Sequence, residues 1–212
     1  MIRLEELAKF IPPYQKIADI GCDHGLLIKK AFSYGITFAQ AIDNKEGPLE
    51  AAKKNLGGFC DAVEFSLSDG LSNLSNKVEV IILAGLGADL AIKILDQSKE
   101  KLKLIKRMII QVNKNPDKIR EYSKNIAFKI VSEKIIFERK HFYEIIVFEP
   151  GERDLRPEEI LFGPCLLQKK DTLFIQKWKE EYLKIKDWHQ KKNIQKKEFI
   201  ENYVLKGEKN AN

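Results

Sequence analysis

The sequence predicts an α/β fold: a parallel sheet covered by helices on both faces, closed by an antiparallel hairpin and followed by a pair of basic helices. Three observations predict it. Short apolar runs alternate with amphipathic segments through Pro150, as repeated strand–helix units do. Two strand-like runs then follow each other with only Arg139-Lys140-His141-Phe142 between them. From about Leu166 onward Pro is absent, Gly occurs only at Gly207, and apolar residues recur at helical spacing.

Each element has its own justification. Ile17-Ala18-Asp19-Ile20 is an apolar strand stopped by Gly21, and residues 26–34 read as a helix. Residues 38–43 form a second strand. A helix covers 48–56, with Pro48 near its first turn, where its missing N–H breaks no bond. The third strand is 62–67. Residues 78–84 are rich in β-branched side chains and read as a buried fourth strand, with a helix over 89–95. Strand five is 107–113, and a helix covers 116–124. The runs 129–138 and 143–149 make the hairpin, turning through 139–142. Right-handed crossovers between the parallel strands give a doubly wound sheet. A hairpin at its end is usual in class I methyltransferases. Pro150-Gly151, Pro157 and Gly163-Pro164 punctuate a connector. Leu173, Trp178, Tyr182, Ile185 and Trp188, then Phe199, Ile200, Tyr203 and Val204, mark two helices folded back on each other along an aromatic seam.

At 44% hydrophobic and 32% charged, the composition is globular with a heavily charged surface. Lys and Arg number 37 against 31 acidic residues, and the excess is concentrated. From Leu167 to the end there are 12 Lys and no Arg against 7 acidic residues. Such a segment either meets a polyanion, by releasing its counterions, or simply keeps its helices soluble. Cys22, Cys60 and Cys165 stand far apart and the three His are scattered, so spacing reveals no metal site. Sparse cysteines fit a reducing compartment. No apolar stretch reaches the roughly 18–20 residues that cross a bilayer. The N-terminal segment carries Glu5, Glu6 and Lys9 rather than an apolar leader core. The expected location is cytoplasmic.

In an open α/β sheet, ligands bind beyond the carboxyl ends of the strands. The first such end reads Asp19-Ile20-Gly21-Cys22-Asp23-His24-Gly25. This pattern suits S-adenosylmethionine. Asp19 can engage its ammonium, and the tight loop of Gly21, Cys22, His24 and Gly25 lets the backbone approach its methionine part. Dinucleotide enzymes use G-x-G-x-x-G, and here Asp23 stands at the second Gly position. As a plain strand-to-helix turn, the loop would use Asp23 as a helix N-cap. At the second end, the Asp43 carboxylate can accept both ribose hydroxyls, a feature shared with nicotinamide sites. At the third, Asp69 in Ser68-Asp69-Gly70-Leu71 can accept from an adenine amino group. Three acids at three successive strand ends point to a nucleoside cofactor. Ala84-Gly85-Leu86-Gly87 follows strand four. It lacks the Asn/Asp-Pro-Pro-aromatic segment of many exocyclic-amine methyltransferases and the Cys of the cytosine-C5 mechanism. Its small residues let a flat base lie near a methyl sulfonium. Asn113, after strand five, either contacts that base or stabilises a turn.

Together these segments resemble the bacterial tRNA (adenine(22)-N1)-methyltransferases, the TrmK family, over nearly the whole chain. The resemblance rests on Ala18-Asp19-Ile20-Gly21-Cys22-Asp23-His24, Glu46-Gly47-Pro48-Leu49, Ser68-Asp69-Gly70-Leu71 and Ala84-Gly85-Leu86-Gly87. It continues through Tyr143-Glu144-Ile145, Gly151-Glu152-Arg153-Asp154, Gly163-Pro164 and Lys177-Trp178. The chain departs from the family at Cys22, where Ser is common, and at Gly25-Leu26-Leu27-Ile28, which replaces Ala-Tyr-Leu-Pro. Val112 replaces a Pro, and Asp89 a small residue.

The resemblance implies a Rossmann-like catalytic domain, a C-terminal α-helical coiled-coil hairpin, S-adenosylmethionine as donor and a tRNA D-arm adenine as acceptor. It singles out Asp23 as the catalytic residue. With the strand-end reading, this gives a cofactor-binding catalytic domain over 1–150, a connector over 151–166 and a basic hairpin over 167–212. The cofactor residues are then Asp19, Gly21, Cys22, His24, Gly25, Asp43, Asn44, Asp69, Gly70, Ala84 and Gly85. Gly87 and Asn113 face the substrate, and neither a metal nor a membrane is expected. Adenine N1 has a free lone pair and its methylated product is cationic. Alignment and a nearby carboxylate are therefore what the reaction needs, on a base taken out of its stack. A small-molecule methyltransferase or nicotinamide enzyme on the same fold would leave the basic hairpin idle. A non-catalytic RNA-binding module would have no need of Asp19, Asp43 and Asp69.

Overall fold

The structure is a computed structural model that describes residues 1–187 and 191–206. Seven strands, β1 (Lys16–Ile20), β2 (Phe38–Asp43), β3 (Val63–Leu67), β4 (Val80–Leu86), β5 (Arg107–Val112), β6 (Phe128–Glu138) and β7 (His141–Pro150), form one sheet in the order β3-β2-β1-β4-β5-β7-β6. The first five run parallel to their neighbours. β7 is antiparallel to both β5 and β6. The doubly wound sheet and its closing hairpin are both as the sequence predicts.

Successive strand residues point to opposite faces, and both faces are covered. Ile17, Ile82 and Ile109 face one core with Leu7 of α1 (Ile2–Ala8), Leu27 of α2 (Leu26–Phe32) and Leu49 of α3 (Glu46–Asn55). Their neighbours Ala18, Ile81 and Ile110 face a second core with Ala91 of α4 (Ala88–Asp96), Leu102 of α5 (Lys99–Leu102) and Ile119 of α6 (Pro116–Tyr122). Burial on both faces explains why these strands are apolar throughout rather than alternating.

Three differences from the sequence reading matter for the site. Helix α1 was not expected. It is short and held by distant partners: the Tyr34 hydroxyl donates to Glu5, and the Lys134 ammonium to Glu6. The hairpin turn is tighter than 139–142. Arg139 and Lys140 have φ of 51° and 65°, the two-residue turn whose twist matches the strands. His141 and Phe142 are therefore strand residues, and His141 faces Glu138. Finally, the expected connector holds two helices, α7 (Pro157–Phe162) and α8 (Pro164–Lys169), each with Pro in its first turn.

The helical pair itself begins at α9 (Thr172–Ile185), where Asp171 caps the Phe174 amide at 3.0 Å. Leu167, taken above as its start, belongs to α8. Helix α10 (Lys191–Ile200) runs on into a π-helical turn, Glu201–Leu205. It packs on α9 through Lys196–Glu181 and Tyr182–Glu201 contacts. A third core lies beneath the pair. Phe162, Phe174, Trp178, Ile200 and Val204 close over Ile135 of β6, so the aromatic seam reaches the sheet as well as the partner helix. Trp188 and residues 207–212 lie outside the described residues. Among those described, no helix is long and apolar enough to cross a membrane.

Candidate active site

Strand order reverses between β1 and β4, which opens a crevice at their carboxyl ends. Two cavities occupy it, of about 660 Å³ and about 260 Å³, both lined by Gly21 and Leu86. The loop after β1 folds over β2 because Gly21 takes a left-handed φ of 77°. Its amide and that of Cys22 donate to the Ile42 carbonyl at 2.8 and 3.0 Å.

That turn gathers carboxylates. Asp19 is 3% exposed and has no side-chain hydrogen bond among the described residues. Burial first, then the charges of Asp43 and Asp23, push its carboxyl up to about 7. The Asp23 amide donates to Asp43 at 3.3 Å, and the Lys45 amide donates to the other Asp43 oxygen at 3.0 Å. Each of those oxygens keeps a free lone pair. Asp23 itself has φ 49°, a left-handed conformation that Asp tolerates. Its carboxylate reaches solvent at the rim of the larger cavity, 3.5 Å from His24 Nε2. Helix α2 starts after Gly25 with no side-chain cap, so Asp23 is not an N-cap. Among the described residues, Asp19, Asp23, Asp43 and Asp69 have no Lys or Arg partner.

The other predicted residues divide between the cavities. Asp19, Cys22, Asp23, His24, Ala84, Gly85 and Asn113 line the larger one. Asp43, Asn44, Asp69 and Gly70 line the smaller one. Asn113 lines the larger cavity and donates to the Gly85 carbonyl at 2.6 Å, the turn-stabilising bond considered for it. Gly85 has φ 79° where β4 shifts register against β5. The buried Cys22 thiol is pushed well above its usual range, chiefly by burial, which disfavours the thiolate.

Two predicted residues stand elsewhere. Gly25 is buried and lines neither cavity. A Cβ there would come 2.7 Å from Leu56, so this glycine lets α2 pack on α3. Gly87 is exposed, lines neither cavity and has an ordinary φ of −77°.

Sequence reasoning missed Arg3, His141 and Tyr143, which line the larger cavity. Arg3 donates to Gln111 at 3.1 Å, and its guanidinium lies 5.1 Å from the Tyr143 ring centre. No local pattern announces Arg3. Tyr143 stood in a motif noted above without a role.

The site is thus a buried carboxylate without an ion-pair partner among the described residues, at the edge of an open cavity, with more carboxylates along the crevice. It fits a ligand that brings its own positive charge and a nucleoside. No group of three His, Cys, Asp or Glu that could hold a metal occurs among the described residues.

Comparison with known proteins agrees. Residues 17–209 match the family model described as tRNA (adenine(22)-N(1))-methyltransferase, TrmK. A Bacillus subtilis tRNA (adenine(22)-N(1))-methyltransferase is 32% identical over 189 residues, 84% of this chain and 79% of that protein. A Streptococcus pneumoniae crystal structure in complex with S-adenosyl-L-methionine superposes with a TM-score of 0.91 at 32% identity, covering 96% of this chain and 99% of that one. Mycoplasma capricolum TrmK in complex with S-adenosyl-homocysteine gives a TM-score of 0.81 at 27% identity, covering 98% and 96%. With sequence, fold and crevice in agreement, the chain belongs to the TrmK family of tRNA (adenine(22)-N(1))-methyltransferases.

Proposed function

We propose that the larger cavity holds the methionine end of S-adenosylmethionine against Asp19, that Asp43 and Asp69 hold its ribose and adenine, and that Asp23 meets the target base. The chain is an S-adenosylmethionine-dependent methyltransferase for N1 of adenine 22 in tRNA. The observation that carries the division of roles is Asp19, a buried carboxylate without a cation. The cofactor's ammonium supplies that cation. When bound, S-adenosylmethionine provides an electrophilic methyl group on a sulfonium.

The rest is the work of this chain's side chains. Asp23 stands at the open rim, where an incoming base arrives. Its carboxylate can accept from the adenine N6–H and favour the positive charge that develops on the ring. Arg3 and Tyr143 form a wall on which a purine can lie. Asn113 lines the cavity, held by the Gln111 amide group and the Gly85 carbonyl. The crevice aligns N1 with the methyl group. Basic α9 and α10 grip the tRNA backbone and read its shape. A tRNA substrate fits a cytoplasmic location.

The test is methyl transfer from labelled S-adenosylmethionine to bulk unmethylated tRNA, followed by nucleoside analysis. A 1-methyladenosine product is expected. Calorimetry showing NAD binding and no S-adenosylmethionine binding would overturn the reading of the cleft.

A further inference from the structure

Glu144, Gly163 and Lys177 belong to three of the motifs quoted above, and none lines either cavity. They converge on one buried cluster. Arg120 of α6 donates through Nε to Glu133 of β6 at 2.7 Å and through Nη2 to Glu144 of β7. The other Glu144 oxygen takes the ammonium of Lys177 from α9. The Arg120 and Glu133 side chains are 0% exposed and that of Glu144 is 2%. The flanking helices join in. Arg120 also donates to the Ile160 and Leu161 carbonyls of α7, and the Cys165 amide of α8 donates to Glu133 at 2.9 Å. A Cβ at Gly163 would collide with the Glu133 carboxylate, which is why only glycine fits that corner. Helices α6, α7, α8 and α9 and strands β6 and β7 all meet at this point.

Burying charges in this way forfeits much of what their attraction returns, and well-packed apolar residues would hold the same elements as firmly. What an Arg fork and two carboxylates add is direction, because each bond fixes an angle as well as a distance. The cluster also sits between two working parts. Tyr143, next to Glu144 in β7, lines the larger cavity. Helix α9, which carries Lys177, presents Lys184 to solvent and ends at exposed Lys186. We infer that the Arg120–Glu133–Glu144–Lys177 cluster is the joint that sets the RNA-gripping helices in register with the methyl-transfer cavity, and that Glu144 and Lys177 are positioning residues for the tRNA. This inference rests on the proposal that α9 and α10 grip tRNA.

The test uses Lys177→Met in the full chain, which keeps the stem and removes the charge. The kcat on tRNA is expected to fall roughly 10- to 100-fold, the cost of a misplacement of about 1 Å. The dissociation constants for tRNA and S-adenosylmethionine should each change less than about twofold, and Lys177→Arg should restore most of the rate. Unchanged kcat overturns the inference. So does a loss of cofactor affinity in step with kcat, the mark of a merely structural residue. If Lys177→Met does not fold, Glu144→Gln carries the same expected split. A Lys184→Ala, Lys186→Ala double variant separates the two layers. If it binds tRNA like the wild type, the reading of the helices falls and the joint falls with it. If it binds weakly while Lys177→Met keeps its kcat, only the joint falls.

Discussion

The two ends of the sheet treat their carboxylates in opposite ways. At the crevice, Asp19, Asp23, Asp43 and Asp69 stand near one another with no Lys or Arg ion-pair partner among the described residues, and Asp19 does so while buried. Beneath the helical pair, Glu133 and Glu144 are just as buried, and each has its cation. Asp19, unpaired, has its proton affinity raised by burial and by its acidic neighbours and waits for a ligand's charge. Acids that are paired on all sides hold elements together. Burial alone would not tell these two regions apart. The presence of a cation does.

The comparison can be broken most sharply at Asp23. Asp23→Ala should lower kcat roughly 10²–10⁴-fold while cofactor affinity measured by calorimetry stays within a few-fold. Equal loss of both would move Asp23 into the cofactor site. At the paired end, Arg120→Ala leaves Glu133 and Glu144 buried with little compensation. Denaturant unfolding should show a loss of about 3–5 kcal/mol. A variant as stable as the wild type would mean that the two acids are protonated or solvated, and the contrast would dissolve. Gly25 supplies a smaller effect. With φ 68° and Leu56 in the way, Gly25→Ala should cost about 1–3 kcal/mol of stability by overpacking. A full-stability Gly25→Ala would return that glycine to the ligand.

Much of this was legible in the sequence, and the reasons are local. Strand ends carry their own marks, so Asp19, Asp43 and Asp69 could be placed from apolar runs that stop at acids and glycines. The left-handed turn at Asp23 was not read from the sequence, although an Asp at the second Gly position of such a loop was its signal. Arg3 and His141 were not legible. Arg3 depends on a short helix held by Tyr34 and Lys134 from far along the chain. His141 depends on a turn closing in two residues, and on β7 inserting between β5 and β6. The helices of the connector did leave a signal: Pro157 followed by two glutamates, and Pro164 after Gly163, are helix starts. They were read as punctuation because each helix is short. Gly25 and Gly87 were placed by neighbourhood in the sequence, which cannot separate a glycine that faces a ligand from one that faces a helix or solvent. The buried cluster lay beyond local reading altogether, because its members come from α6, β6, β7 and α9.

The claim that the crevice keeps Asp19 unpaired for a ligand's cation can be tested directly by titrating S-adenosylmethionine calorimetrically at pH 6 and pH 7. Burial and its acidic neighbours raise the Asp19 carboxyl to about 7 in the empty protein, and only its ionised form pairs with an ammonium. Affinity should therefore fall as pH drops through that value. It should be roughly fivefold weaker at pH 6 than at pH 7, from the ionised fractions alone. Asp19→Asn should bind more weakly at both and show no such dependence. A wild type that binds equally well at the two pH values, or an Asn variant that keeps the dependence, would contradict the account.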